Sequence, residues 1–262
     1  MDLGTAFAVS VRRQPDAVAV VDGERRRTFA QWNAEIRAAA GALARIGLKA
    51  GDHLAVVMRN RYEMATLYWA CHMLGAIFTP VSWRSSADEI RYCLEDAEAA
   101  ALAFDGAAGD AVLDAAAQLK INPERIILAA DGKGEGRRFE HLLNMPPVAG
   151  PSAPNEFSTC LMLYTSGTTG RPKGVPRSHR AELAASISHI SQNQYRQGDS
   201  CLGVMPLFHT MGIRIMLGAA LLNGRLICVP AYSPEEVLRL VSAIRSSALT
   251  TCARWRGSAT PA

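Results

Sequence analysis

The sequence predicts an α/β fold with mostly parallel sheets covered by helices, and two observations carry that reading. Apolar runs of strand length, such as Leu54–Met58, Ala76–Val81 and Cys160–Tyr164, are continuous rather than alternating, the pattern of strands buried on both faces. Between them lie stretches with helical spacing and helix-start signals, giving the strand–helix–strand rhythm that joins parallel neighbours through crossover helices.

The elements follow in order. Thr28 and Gln31 form a capping box ahead of a helix whose buried face is Ile36, Ala40, Leu43 and Ile46, and Gly47 and Gly51 end it. A strand is expected over 54–58, a helix over 62–74 and a strand over 76–81. Ser85 to Glu89 opens a further helix that runs to about Glu95, and strands near 100–104 and 125–130 flank an alanine-rich helix over 110–119. The stretch Asp131–Gly136 mimics a dinucleotide fingerprint but lacks its final glycine, and reads as a solvated turn.

Pro146, Pro147, Pro151 and Pro154 prevent helix or central strand between Asn144 and Asn155, which therefore reads as a linker. It is expected to divide a first α/β subdomain, 1–150, from the start of a second, 151–251. The second holds a strand over 159–165, a loop, a helix over 181–194, and strands over 201–205 and 226–229. Ser233-Pro234-Glu235-Glu236 opens a last helix, with Val237, Leu238, Val241 and Ile244 as its buried face.

Composition bounds the function. With 28 basic and 24 acidic residues the net charge is +4, too balanced to imply a nucleic-acid surface. The six cysteines (71, 93, 160, 201, 228 and 252) have neither Cys-x-x-Cys pairs nor zinc-ligand histidines nearby, and read as free buried thiols of a reducing cytoplasm. Met1-Asp2-Leu3-Gly4 opens no basic segment ahead of a long apolar core, so no secretory signal is expected. The apolar stretch Ile213–Leu222 is about half the length of a membrane span and carries Arg214, so no transmembrane segment is expected.

The chemistry concentrates behind the strand at 159–165. Thr165, Ser166, Thr168 and Thr169 offer four hydroxyl donors, Gly167 and Gly170 let backbone N–H groups approach an anion, and Lys173 adds a cation. Main-chain donors, hydroxyls and one ammonium together suit a polyphosphate, whose oxygens take short, charge-assisted bonds. The ordinary P-loop spacing, Gly-x-x-x-x-Gly-Lys-Ser/Thr, is not met, so this is a different phosphate loop.

The run Tyr164-Thr-Ser-Gly-Thr-Thr-Gly-Arg-Pro-Lys-Gly-Val175 resembles the signature loop of the AMP-forming adenylation superfamily, which includes acyl-CoA synthetases, luciferases and the adenylation domains of peptide synthetases. Met205-Pro-Leu-Phe-His-Thr-Met-Gly212 is similar to that family's acyl-pocket segment, Thr28-Phe-Ala-Gln-Trp32 to the start of its first helix, and Gly51-Asp52 to its turn before a strand. The similarity runs from about Ala17 to about Thr251.

The resemblance implies a two-step reaction in which a carboxylate attacks the α-phosphate of ATP, giving acyl-AMP and pyrophosphate, and the thiol of coenzyme A then displaces AMP. It implies that residues Thr165 to Gly170 and Lys173 hold the β- and γ-phosphates, that Thr168 helps bind Mg²⁺, and that His209 lines the acyl pocket and orients the carboxylate. His179 stays open between a structural and a functional role. The SGTTG form of the loop and the Pro-Arg-Ser-His run favour an acyl or aryl acid over an amino acid. The family's adenine-, ribose- and lysine-bearing segments do not occur here. The resemblance therefore implies the incomplete large N-terminal domain of an adenylate-forming enzyme, truncated and inactive alone, with residues 252–262 as an aberrant or disordered tail. The alternatives are half of a split enzyme, which needs a missing C-terminal half as partner, and a non-enzymatic nucleotide-binding module.

Overall fold

The computed structural model describes residues 1–165 and 171–246, with the side chains of 244–246 left aside. Helix α1 (Leu3–Arg13) is capped by Asp2, whose Oδ1 accepts the Thr5 N–H at 2.9 Å. Strands β1 (Val18–Asp22) and β2 (Arg25–Thr28) form an antiparallel hairpin. Helix α2 (Phe29–Arg45) starts with the expected capping box between Thr28 and Gln31. Then come β3 (His53–Val57), α3 (Tyr62–Leu74), β4 (Ile77–Pro80), α4 (Ala87–Asp96), β5 (Ala101–Phe104) and α5 (Gly109–Gln118). The first unit closes with β6 (Ile126–Leu128), the short β7 (Arg137–Arg138) and α6 (Phe139–Leu142). After the linker follow β8 (Thr159–Thr165), β9 (Lys173–Ser178), α7 (His179–Gln192), β10 (Ser200–Gly203), α8 (Thr210–Leu221), β11 (Arg225–Cys228) and α9 (Pro234–Ser246).

Two sheets result. The larger has seven strands in the order β7-β6-β5-β3-β4-β8-β9, parallel except for β9, and the smaller has four in the order β10-β11-β1-β2, parallel except for β2. In β3, Leu54 and Val56 face one apolar core while Ala55 and Val57 face another, so the strand is covered on both sides, as its continuous apolar run requires. Helix α3 is buried around nearly its whole circumference. Its Trp69 stacks on Phe7 of α1 at 4.4 Å, and Phe7 meets Trp32 of α2 edge-on.

The strand pairing runs across the boundary expected at residue 150. Strand β8, assigned by sequence to a second subdomain, pairs with β4 in the larger sheet, and β1 pairs with β11 in the smaller one. Backbone ladders are made wherever exposed N–H and C=O rows meet, and no local sequence pattern records which rows will meet. The 144–155 linker is instead held to the surface of the first helices, with the Val148 N–H on the Arg37 carbonyl and the Ser152 N–H on the Met73 carbonyl.

Other departures are local. Strand β9 was expected as loop. It carries Pro176, which donates no ladder bond, and it lies at the edge of its sheet, where proline is tolerated. Helices α1 and α8 and the β1–β2 hairpin were not foreseen. On α9, Leu238 is 67% exposed rather than buried, while Leu240 packs against Val21 and Ile227. Cys71, Cys93, Cys160, Cys201 and Cys228 are free and buried as expected, and Cys252 lies outside the described residues. Among the described residues no helix is long and apolar enough to cross a membrane.

Candidate functional site

Strands β3, β4, β5 and β8 are parallel, so their carboxyl ends share one edge of the larger sheet. Strand β3 has β4 on one side and β5 on the other. The chain reverses direction across the sheet there, which opens the crevice where α/β folds bind ligands. Phe78 of β4 is opposite Leu161 of β8, so the two strands run side by side toward that edge. Thr165 is in turn the ladder partner of Lys173 across the β8–β9 hairpin, and both are exposed at its tip. The hairpin thus brings the expected hydroxyl and ammonium to the carboxyl edge together. Ser166, Gly167, Thr168, Thr169 and Gly170 lie outside the described residues.

Helix α4 braces the hairpin. The Tyr164 hydroxyl donates to Asp96 Oδ2 at 2.7 Å and contacts the Cys93 carbonyl at 3.2 Å, while the Arg171 guanidinium lies 5.5 Å from the centre of the Tyr92 ring. Burial first, and then the Asp96 carboxylate, raise the Tyr164 pKa well above its ordinary value, so the phenol stays a donor.

The smaller sheet supplies the opposite wall. The loops after β10 and β11 (Val204, Pro206, and 229–232) face Arg59, Asn60, Trp83 and Arg84, which follow β3 and β4, across a cleft of about 310 Å³. Arg84 covers the Trp83 ring at 4.4 Å, and Arg59 lies 5.7 Å from its centre. His209 sits at the N-cap of α8, exposed, with its ring 4.7 Å from that of Phe208. It makes no side-chain capping bond, so the imidazole is not consumed by its own helix.

The turn after β3 ties these walls together. Arg59 N–H donates to Asp105 Oδ2 at 3.2 Å, Arg61 pairs with the same buried carboxylate at 2.6 Å, and Asn60 reaches across to the loop after β10. The sequence reading passed over Arg59, Asn60, Trp83 and Arg84. The available signal was position: polar residues directly behind two buried strands at a sheet's carboxyl edge. His179 resolves as structural, since it is fully buried and its Nδ1 accepts the Leu3 N–H at 3.2 Å. No group of three His, Cys, Asp or Glu able to hold a metal occurs among the described residues, and Thr168, expected at the metal, lies outside them.

This α/β arrangement, mostly parallel sheets flanked by helices, is that of the N-terminal domains of adenylate-forming enzymes. A family model described as "AMP-binding enzyme" matches residues 7–254, and the chain belongs to that family. It is 30% identical over 218 residues to a long-chain-fatty-acid–CoA ligase, FadD13, of Mycobacterium tuberculosis, covering 82% of this chain and 42% of that protein. It is 29% identical over 231 residues to a 2-succinylbenzoate–CoA ligase of Bacillus licheniformis, covering 87% of this chain and 45% of that one. The chain therefore spans less than half the length of these curated relatives.

Two solved structures share the fold. The N-terminal domain of FACL13 from M. tuberculosis superposes with a TM-score of 0.82 at 24% identity, covering 93% of this chain and 61% of that one. The o-succinylbenzoate coenzyme A synthetase MenE of Bacillus subtilis, solved with ATP and a magnesium ion, gives 0.78 at 22% identity, covering 94% and 62%.

Proposed function

We propose that this chain forms the phosphate- and acyl-facing part of an AMP-forming acid–CoA ligase of the cytoplasm, acting on an acyl or aryl carboxylic acid. The observation that carries the reading is the hairpin tip, where Thr165 and Lys173 stand in register at the carboxyl edge of the larger sheet. The chemical problem is charge: a carboxylate must reach the α-phosphate of a polyanion, so preorganised donors matter more than a side-chain nucleophile. The Lys173 ammonium and the Thr165 to Gly170 hydroxyls and amides bind the β- and γ-phosphates. Thr168 would help hold the Mg²⁺ that accompanies ATP, which would neutralise phosphate charge.

His209 is exposed at the N-cap of α8, in the loop that follows the cleft-lining Pro206, makes no side-chain capping bond, and orients the incoming carboxylate. Its carboxylate oxygen bonds to the α-phosphorus as the bond to pyrophosphate breaks. The sulfur of coenzyme A then bonds to the acyl carbon as AMP departs. The relatives named as CoA ligases support a thiol acceptor, and their fatty and aromatic acids support the substrate class. The activity belongs to the whole protein of this family, and the 262-residue chain is not competent alone, because the elements that bind adenine and ribose are not in its sequence.

Exchange of labelled pyrophosphate into ATP tests this in a protein that joins the chain to the rest of the family's length. Exchange dependent on a fatty or aryl acid is expected. Exchange driven only by amino acids would overturn the substrate class. Nucleotide binding with no exchange on any carboxylate would favour a non-enzymatic nucleotide-binding module, and exchange that appears only on adding a second polypeptide would favour a split enzyme.

A further inference from the structure

We propose that Asn60 is a positioning residue, which sets the Met205–His209 segment and through it the His209 imidazole. Its meaning for catalysis rests on the acid–CoA ligase reading above. The residue is 7% exposed and sits on the turn after β3, in the larger sheet, while its partners lie at the end of β10, in the smaller one, and just after it. Its Nδ2 donates to the Gly203 carbonyl and to the Met205 carbonyl, each at 2.8 Å, and its Oδ1 accepts the Leu207 N–H, also at 2.8 Å.

A carboxamide carries two donor hydrogens and one acceptor oxygen, and these three bonds use both kinds of group. The amide can therefore point only one way, since a flip would set its oxygen against two carbonyls. Of the three backbone groups it meets, that of Gly203 ends β10, while those of Met205 and Leu207 lie in the segment between β10 and α8, outside helix and strand. Asn60 thus stands in for a missing strand.

Both ends of this link are fixed. Behind Asn60, the fully buried Asp105 holds the Arg59 N–H and the Arg61 guanidinium, so the turn cannot shift along the sheet edge. Ahead of it, Leu207 and Phe208 are buried anchors, and the His209 N–H returns to the Pro206 carbonyl at 3.0 Å. Only Phe208 separates the pinned Leu207 amide from His209, so the imidazole inherits its place from the Asn60 bond. Asn60 lines the cleft, but the bonds of its side chain go to the loop backbone, and it acts on His209 through that loop.

The test follows backbone and imidazole, not turnover, in the 262-residue chain. Its failure therefore leaves the exchange assay untouched, and a failed exchange assay leaves this result standing. Amide hydrogen exchange over 203–209 and the His209 ring resonances are compared in the wild type, Asn60→Ala, Asn60→Asp and a control, Val112→Ala, which destabilises the remote core around α5. Asp keeps the acceptor for Leu207 but loses both donors. With either substitution at Asn60, exchange at 203–209 should rise about tenfold or more beyond any global change, as expected for two or three lost buried bonds, and the His209 resonances should shift.

Val112→Ala should raise exchange only in step with global stability and leave His209 unmoved. The proposal is overturned if the loop responds to Asn60→Asp no more than to Val112→Ala, or if the His209 resonances do not change. Should the Asn60 variants fail to fold, the wild type decides: protection of the Leu207 amide comparable to strand amides supports the link, and exchange at the rate of an open loop overturns it.

Discussion

Asp22, in β1, caps a helix that begins 40 residues later: its Oδ2 accepts the Tyr62 N–H at 2.8 Å. Helix α3 has no side-chain cap of its own, because Arg61 occupies that position without bonding to the first turn. The smaller sheet therefore satisfies an amide that α3 would otherwise leave open. Asp22→Ala should cost about 0.5–2 kcal/mol by loss of the cap. Asp22→Asn, which keeps an acceptor, should cost less. Urea unfolding of the three proteins checks the order, and an Asn variant as unstable as the Ala variant would assign the effect to charge rather than to the hydrogen bond.

Lys173 stands at the hairpin tip in register with Thr165, and the proposed function makes it a phosphate contact. In a protein carrying the whole family length, Lys173→Ala should lower kcat/KM for ATP roughly tenfold to a hundredfold, the range of one charge-assisted bond. KM for the carboxylate should change little. An unchanged kcat/KM for ATP would remove Lys173 from the phosphate site. The 262-residue chain by itself should show no pyrophosphate exchange, and robust exchange by that chain would show it to be self-sufficient.

His72 and His179 form a buried pair beneath the N-terminus, with ring centres 5.5 Å apart. Burial and the neighbouring His179 hold the His72 pKa well below its ordinary 6.5. Burial also lowers that of His179, with Asp2 opposing and the N-terminal ammonium assisting. Both rings are thus neutral in the folded protein at pH 7. As pH falls below about 6.5 the unfolded chain takes up protons that the folded one refuses, so stability is present above that pH and is lost below it. Denaturant midpoints measured from pH 7.5 to 5.5 should fall, and His72→Leu should flatten the slope. An equally steep slope in His72→Leu would place the titrating group elsewhere.

Gly212 lies where α8 presses on the segment before His209. A Cβ there would fall 2.2 Å from the Pro206 carbonyl oxygen and 2.7 Å from that of Met205, both backbone atoms that cannot swing away. Gly212→Ala should destabilise by about 1–3 kcal/mol, as overpacking does, and should displace the His209 segment. Thermal unfolding together with the His209 ring resonances measures both effects. Full stability in Gly212→Ala would show that the loop yields freely.

The elements that sequence placed correctly are those with local causes. The Thr28–Gln31 and Ser86–Glu89 boxes start helices because each satisfies amides within its own first turn, and the apolar runs within 54–58 and 160–163 form strands because apolar side chains on both faces need cover. The clustering of Thr165, Lys173 and the glycines between them was legible for the same reason, since they sit within a few residues of one another, but the strand β9 that begins at Lys173 was not.

Which strands share a sheet was decided only by the tertiary structure. The ladders of β8 with β4 and of β1 with β11, and the bond from Asn60 to Leu207 across 147 residues, join groups that leave no mark on their neighbours in sequence. Leu238 makes the same point in reverse, since its helical spacing is that of a core residue and yet nothing among the described residues covers it. Local chemistry fixes a residue's conformation. Its partners are fixed by the packing of the whole chain, where hydrogen bonds and apolar surface are satisfied over distances that no sequence window spans.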